Sequence, residues 1–326
     1  MTEVPARSHA VQIVEGPNGP ELMWVEREMP KPGPGEALVR VSAAGVNPSD
    51  VGNLAGAFGT KLPRVPGRDF SGTVVQGPAD WLGTAVWAVP TGSGFTREGS
   101  HAEYTVVRVE ALSKKPESLG FERAAGAGVP YVTAWEGLVN RGRVRPGETV
   151  LAIGMGSVGV AVAQIARWKG ARVIGASSQR PERLAKWQNE VDVAIDSAPD
   201  KLADAVRAAT QGRGVDVVFN AIGGSTFTPS LEVASQGGRF VSIAAAPPRE
   251  VSFDLLSLYR RNLSLLGINT LAISDAESAS ILDSLGEGFA QGRLRITVDR
   301  TFPLADAARA YDAVRGGGVG KVVLVA

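Results

Sequence analysis

The stretch Thr149-Val-Leu-Ala-Ile-Gly154-Met-Gly156-Ser-Val-Gly159 decides the fold. A short apolar run ends on a glycine and a second apolar run follows, so Gly-x-Gly-x-x-Gly stands between a predicted strand and a predicted helix. In that context each glycine has a task. Gly154 makes a tight turn, Gly156 lets a pyrophosphate approach the backbone, and Gly159 lets the helix lie close to the strand. The helix start, at Ser157 and Val158, offers unpaired N–H groups and the positive end of the helix dipole to phosphate. The motif predicts a dinucleotide site. Val150 to Ala166 is also apolar enough to suggest a membrane span, but the glycines and serine inside the run fit strand, turn and helix better.

Working outward, strands and helices alternate downstream. RVIGAS (172–177), VDVAID (191–196), VDVVFNAIG (215–223) and RFVSIA (239–244) are separated by helices predicted from Pro181, from about Pro199 and after Ser225. Continuous apolar strands joined by helices specify a doubly wound parallel sheet covered on both faces, so the fold class is α/β. Upstream, from residue 9 to about 115, the chain reads as short strands cut by glycine and proline, which suits a compact barrel. Phe121 to Gly142 reads as helical with an interruption at Pro130. Past Ile268, helices at about 275–291 and 304–315 lead into a final strand, KVVLVA.

The composition excludes several chemistries. The 326 residues are 44% hydrophobic and 21% charged, which is neither a disordered chain nor a coiled coil. The net charge of +1 gives no electrostatic reason for a nucleic acid or an anionic membrane as partner. With no cysteine, disulfides, thiolate catalysis and Cys-ligated zinc are impossible, and a Ser-His triad would need His9 or His101. The N-terminal MTEVPARSHAVQIVEG holds no signal-peptide stretch, so a cytoplasmic location is expected.

The cofactor follows from the end of the second strand, where an NAD site places an acid for the ribose hydroxyls. Here stand Ser177, Ser178, Gln179 and Arg180. Two hydroxyls and an arginine suit a 2′-phosphate, so NADP(H) is expected over NAD(H). Ser178 and Arg180 otherwise only begin the helix before Pro181.

Further segments, in order, carry a family resemblance: AGVNPSD (44–50), VPGRDFSG (65–72), GSHAEY (99–104), VTAWEGL (132–138), the glycine motif, VVFNAIGG (217–224) and GKVVL (320–324). Over its whole length the chain resembles the medium-chain dehydrogenase/reductases, specifically the zinc-free quinone oxidoreductase branch that includes zeta-crystallin. The resemblance implies a GroES-like β-barrel catalytic domain (1–129, completed by 270–326) interrupted by a Rossmann NADP-binding domain (130–269), with the active site in the cleft between them. Zinc-dependent relatives carry cysteine where Asn47 stands and His-Glu where Arg68-Asp69 stands, so no Lewis acid is expected and no metal-ligating residue is assigned. An acceptor that is already electrophilic, a quinone or an α,β-unsaturated carbonyl, needs none. Val51 to Leu54 lacks a tyrosine that such relatives often carry.

The resemblance also places individual residues. Asn47 either donates to a substrate carbonyl beside the nicotinamide or caps a helix before Pro48. Asp50 either orients a partner or starts that helix, and Thr133 either approaches the nicotinamide or satisfies its own helix. Asn220, with Gly223 and Gly224, belongs under the adenosine and ribose or simply forms a glycine turn. Ala244 and Ala245 line the nicotinamide side through their backbones, and Asn269 is a further cofactor contact. Tyr131 is expected in the core, His101 at the surface, Arg68 and Asp69 in a structural ion pair or turn, and Arg260 and Arg261 at a solvated strand end. The segment near 262–269 resembles the edge strand through which relatives dimerise, which predicts a homodimer. The implied activity is NADPH-dependent hydride transfer to a small quinone or enone. The alternatives are an enoyl-thioester reductase, for which Lys61, Arg64 and Arg68 would form a basic rim, and a crystallin-like protein that binds NADPH without turnover.

Overall fold

The structure is a computed structural model that describes residues 4–177, 185, 187–317 and 320–326. The chain divides into two compact units, one running to Val132 and resuming at Leu271, the other spanning Thr133–Thr270. The helix predicted from Pro181 falls largely outside the described residues, as do Ser178 and Arg180.

In the first unit, β1 (Arg7–Gly16) and β2 (Gly19–Glu28) form a hairpin, followed by β3 (Glu36–Val46), β4 (Phe70–Gln76), β5 (Ala85–Ala88), β6 (Tyr104–Arg108) and β7 (Ser113–Lys114). The helix Phe121–Trp135 comes next and contains Pro130 without breaking there. A proline removes one backbone bond. The buried run Ala124 to Ala134 holds the helix together across that gap.

The second unit carries β8 (Thr149–Ile153), β9 (Arg172–Ser177), β10 (Val193–Asp196), β11 (Val215–Asn220), β12 (Ala234–Ser242) and β13 (Ser264–Gly267). They form one parallel sheet in the order β10-β9-β8-β11-β12-β13, with helices Ser157–Trp168, Pro199–Ala209 and Phe227–Glu232 among the connections. The order runs outward from β8 in both directions, so β8 and β11 flank the switch point, where ligands of such sheets bind. Leu151, Ile153, Ile174, Val218 and Phe240 pack into its core. The apolar run that resembles a span is β8, a turn and a 12-residue helix. Among the described residues no helix is long and apolar enough to cross a membrane.

The chain then returns to the first unit through the helix Asp275–Ala290, β14 (Val298–Pro303), the helix Ala307–Arg315 and β15 (Lys321–Val325). Seven strands make its sheet, in the order β14-β15-β3-β4-β5-β7 with β6 also on β3. Strand β3 is the hub. Its first half pairs with β6 and its second half with β15, and β4 runs along the other side. Bulges around Val41 in the β3–β4 ladder let one strand serve these partners. Val39, Val41, Phe70 and Val86 fill one core, and Val46, Tyr311, Val322 and Leu324 fill another against the helix Ala307–Arg315.

Candidate active site

Each unit presents one site. In the second, β8 ends at Gly154, whose φ of +89° few side chains tolerate. Its N–H donates to Ala176 O at 2.9 Å, tying the turn to the end of β9. A Cβ on Gly159 would overlap the Gly154 carbonyl, so glycine alone lets the helix pack this closely on the strand. Gly156 differs: its backbone is extended (φ −86°, ψ −163°), it is exposed, and a Cβ there would meet nothing within 4 Å. The space above Gly156 is open, which leaves room for the pyrophosphate cradle that the motif predicts. Gly156 is the helix N-cap and no side chain caps the helix, so the donors at Ser157, Val158 and Gly159 remain for an anion. These residues fit a dinucleotide.

Ser177 ends β9 beside this turn, where an NAD site would carry an acid. Its register partner is Asp196, which accepts from the Ala198 N–H at 3.1 Å. Asn220, fully buried at the end of β11, spends its side chain on the turn that follows. Oδ1 accepts from the N–H groups of Ile222 and Gly223 at 3.0 and 2.8 Å, and Nδ2 donates to Thr226 Oγ1 at 3.0 Å. The structure gives Asn220 the task of shaping the Gly223-Gly224 loop. A Cβ on Gly223 would crowd Ala244 and Ala245, which brings the two predicted backbone linings together. Asn269 is exposed beyond β13, and Thr133 is buried in the helix Phe121–Trp135.

In the first unit, Asn47, Asp50, Arg68, Asp69, His101, Tyr311 and Lys321 form a buried polar cluster. Asn47 precedes the helix Pro48–Leu54, and Asp50 Oδ2 accepts from the Asn47 N–H at 2.8 Å, as in a helix cap. The Asn47 side chain does other work. Its Nδ2 donates to Asp69 Oδ1 at 2.8 Å, and its Oδ1 accepts from Lys321 Nζ. Asp69 Oδ2 accepts from the Val129 N–H at 2.7 Å and lies 3.6 Å from Lys321 Nζ. The sequence expectation pairs Asp69 with Arg68; the structure pairs it with Lys321. Burial lowers the Lys321 pKa against the pull of Asp69. Burial also raises that of Asp50, whose Oδ1 has no partner among the described residues.

His101 corrects an expectation. It is fully buried, not at the surface. Gly45 O, 3.1 Å from Nε2, can only accept, so Nε2 carries the proton and Nδ1 accepts from the Tyr311 hydroxyl at 3.1 Å. Burial depresses the His101 pKa and holds that of Tyr311 well above the usual range. The pair is a neutral plug in a charged cluster. Arg260 and Arg261 are a second correction. Arg260 ends a helix, and Arg261 donates to the Leu231 and Glu232 carbonyls, which the end of the helix Phe227–Glu232 leaves unpaired, and to the Ala234 carbonyl at the start of β12. Tyr131 lies in the core as expected, its hydroxyl donating to Arg295 O at 2.5 Å. Sequence reasoning missed Lys321; its signal is a lysine opening an otherwise apolar strand, KVVLV.

Comparison with known proteins places the whole chain in one family. The alcohol dehydrogenase GroES-like domain family matches residues 33–117, and the zinc-binding dehydrogenase family matches residues 189–324. A zinc-type alcohol dehydrogenase-like protein of Schizosaccharomyces pombe is 36% identical over 276 residues, 82% of this chain and 80% of that protein. The quinone oxidoreductase of Mus musculus is 28% identical over 330 residues, 97% of each. A mycobacterial protein solved with NADPH superposes with a TM-score of 0.86 at 28% identity, covering 98% of this chain and 100% of that one.

Proposed function

Because the chain belongs to the medium-chain dehydrogenase/reductase superfamily, an oxidoreductase family that uses nicotinamide cofactors and includes the quinone oxidoreductases, we propose that it is a cytoplasmic NADPH-dependent reductase of quinones or α,β-unsaturated carbonyls that works without zinc. The observation that carries this reading is the donor set around Asn47, whose carboxylate, Asp69, is already engaged. Where zinc relatives place ligands, this chain has an amide, a guanidinium and a carboxylate. The carboxylate already accepts from Asn47 and Val129 and pairs with Lys321. A zinc ion there would face the cations of Arg68 and Lys321, so the donor set does not fit it.

In this reading the Thr133–Thr270 unit is the cofactor domain and the remainder is the catalytic domain. Gly154, Gly156, Ser157, Val158 and Gly159 hold the pyrophosphate, and Ser177 with Ser178 and Arg180 take the 2′-phosphate. Ala244 and Asn269 contact the cofactor, and Asn220 shapes the loop beneath it. The nicotinamide supplies the hydride when bound. Asn47 offers its second Nδ2 hydrogen to the acceptor oxygen as that atom gains negative charge. Asp50 fixes the backbone of Asn47, and Thr133 orients the nicotinamide. A phosphorylated carrier suits the site less well, because Arg64 is bonded to Glu98 and Arg68 is buried.

We also propose a homodimer through β13. Among the described residues β13 is the last strand of its sheet, and Leu255, Leu256, Tyr259 and Leu265 are exposed on and just before it. The deciding experiment follows NADPH oxidation at 340 nm against a para-quinone, an ortho-quinone, an enone and an enoyl-CoA, each repeated with NADH. Turnover with a quinone or the enone, lost in Asn47→Ala, supports the reading. Tight NADPH binding without oxidation of any acceptor refutes it.

A further inference from the structure

We propose that Lys321 is a positioning residue for hydride acceptance, holding and polarising the Asn47 amide so that one Nδ2 hydrogen is kept for the acceptor oxygen. The inference rests on the reductase reading above and assigns the group that makes Asn47 an effective donor.

Both ends of the amide are fixed by charge. Lys321 Nζ donates to Oδ1, and Asp69 Oδ1 takes one Nδ2 hydrogen at 2.8 Å. That arrangement sets the orientation of the amide, since reversal would place NH2 against an ammonium and the amide oxygen against a carboxylate. The second Nδ2 hydrogen has no acceptor among the described residues. A cation on the carbonyl end strengthens donation from the nitrogen end, and the effect is large because the cluster excludes water: Asn47 and Lys321 are each 2% exposed.

The backbone around Lys321 is shaped to admit it. A Cβ on Gly45 would lie 2.8 Å from Lys321 Cε and 2.6 Å from Asp69 Oδ1, and one on Gly126 would lie 3.2 Å from Lys321 Cγ. Two elements therefore omit a side chain to let this lysine through. The neighbours Val322, Val323 and Leu324 are buried and apolar. For stability alone, well-packed apolar residues serve such a place as well as an ion pair does. The lysine is accounted for by what it does to Asn47.

The test is Lys321→Met, read by kcat across quinones and enones of graded reduction potential, with NADPH affinity from fluorescence titration as control. A strongly oxidising quinone stabilises its own developing charge, whereas an enone needs the donor. We expect kcat to fall about 10²-fold toward an enone, as for loss of one oxyanion donor, and only a few-fold toward the strongest quinone. NADPH affinity stays within about twofold. The double variant Lys321→Met with Asp69→Asn removes both charges and answers the same question if the single variant fails to fold. A loss equal for all acceptors, or no loss, overturns the assignment of Lys321 while wild-type turnover stands. A wild-type protein silent toward every acceptor overturns the reductase reading itself and this assignment with it.

Discussion

Two glycines of one motif, Gly156 and Gly159, separate cofactor binding from folding. Gly156 has extended backbone angles and nothing within 4 Å of a built Cβ, so alanine fits the free protein. Alanine is a poorer N-cap than glycine, but it restricts the unfolded chain by about 0.4–1 kcal/mol. The two effects offset, and stability stays within about 1 kcal/mol of wild type. The added methyl fills the cradle instead. Overpacking there costs the complex about 1–3 kcal/mol, a Kd for NADPH roughly 5- to 150-fold weaker. Gly159→Ala acts in the opposite sense, since its Cβ overlaps the Gly154 carbonyl in the free protein. The clash is with backbone, so the overpacking cost stands at the upper end, about 3 kcal/mol, and the roughly 0.5–1 kcal/mol returned by replacing a helical glycine leaves a destabilisation of about 2 kcal/mol. At about 2–4 °C per kcal/mol, Tm falls by roughly 4–8 °C. Fluorescence titration with NADPH and thermal unfolding by circular dichroism without cofactor measure both variants. Wild-type NADPH affinity in Gly156→Ala would refute the assignment of the cradle, and an unchanged Tm in Gly159→Ala would refute the packing argument.

Other outcomes follow from the clusters. Asp69→Ala strands a buried Lys321 and the Val129 N–H, so urea unfolding is expected to lose about 3–5 kcal/mol. Tyr311→Phe leaves His101 Nδ1 without its donor and costs about 1–3 kcal/mol by the same method. Burial holds the His101 pKa below its unfolded value of 6.5. The stability contributed by neutral His101 is therefore present above that pH and is lost as pH falls toward the folded pKa. NMR of the imidazole, in a chain with only two histidines, is expected to show His101 still neutral at pH 6.5; a protonated ring there sinks the claim. Leu255→Glu combined with Tyr259→Glu is expected to convert a dimer to a 33.9 kDa monomer in light scattering, and a wild-type monomer removes the proposed interface.

The parallel sheet was legible because each of its strands carries its own local pattern and the glycine motif fixes where β8 ends. The short strands of the first unit were legible for the same reason, between the glycines and prolines that cut them. Two elements were not. β14 reads VDRTFP, with charged residues breaking the apolar alternation, and it exists because Phe302 and its neighbours pair with β15. The helix Leu255–Arg260 exposes its leucines, so no burial pattern marks it. His101 was misread for a related reason. Gly-Ser-His-Ala-Glu looks like a surface turn, yet Val11 N–H bonds to the His101 carbonyl and Tyr311 meets the ring from 210 positions away. Lys321 is bonded to Asn47 across 274 positions, a separation that no window along the chain can span.

The hub position of β3 has a consequence for how the protein is made. On the flank away from β4, residues 43–46 of that strand pair with 322–325. During synthesis the first sheet waits, with one flank open, while all of Thr133–Thr270 emerges and folds as a unit of its own. β15 emerges only after that unit, and it then closes the earlier sheet and brings the ammonium that pairs with Asp69. A nascent chain held a few residues short of Lys321 would thus carry a finished second unit and an unfinished first one, and pulse proteolysis of stalled chains would cut upstream of Val132 while sparing the sheet beyond it.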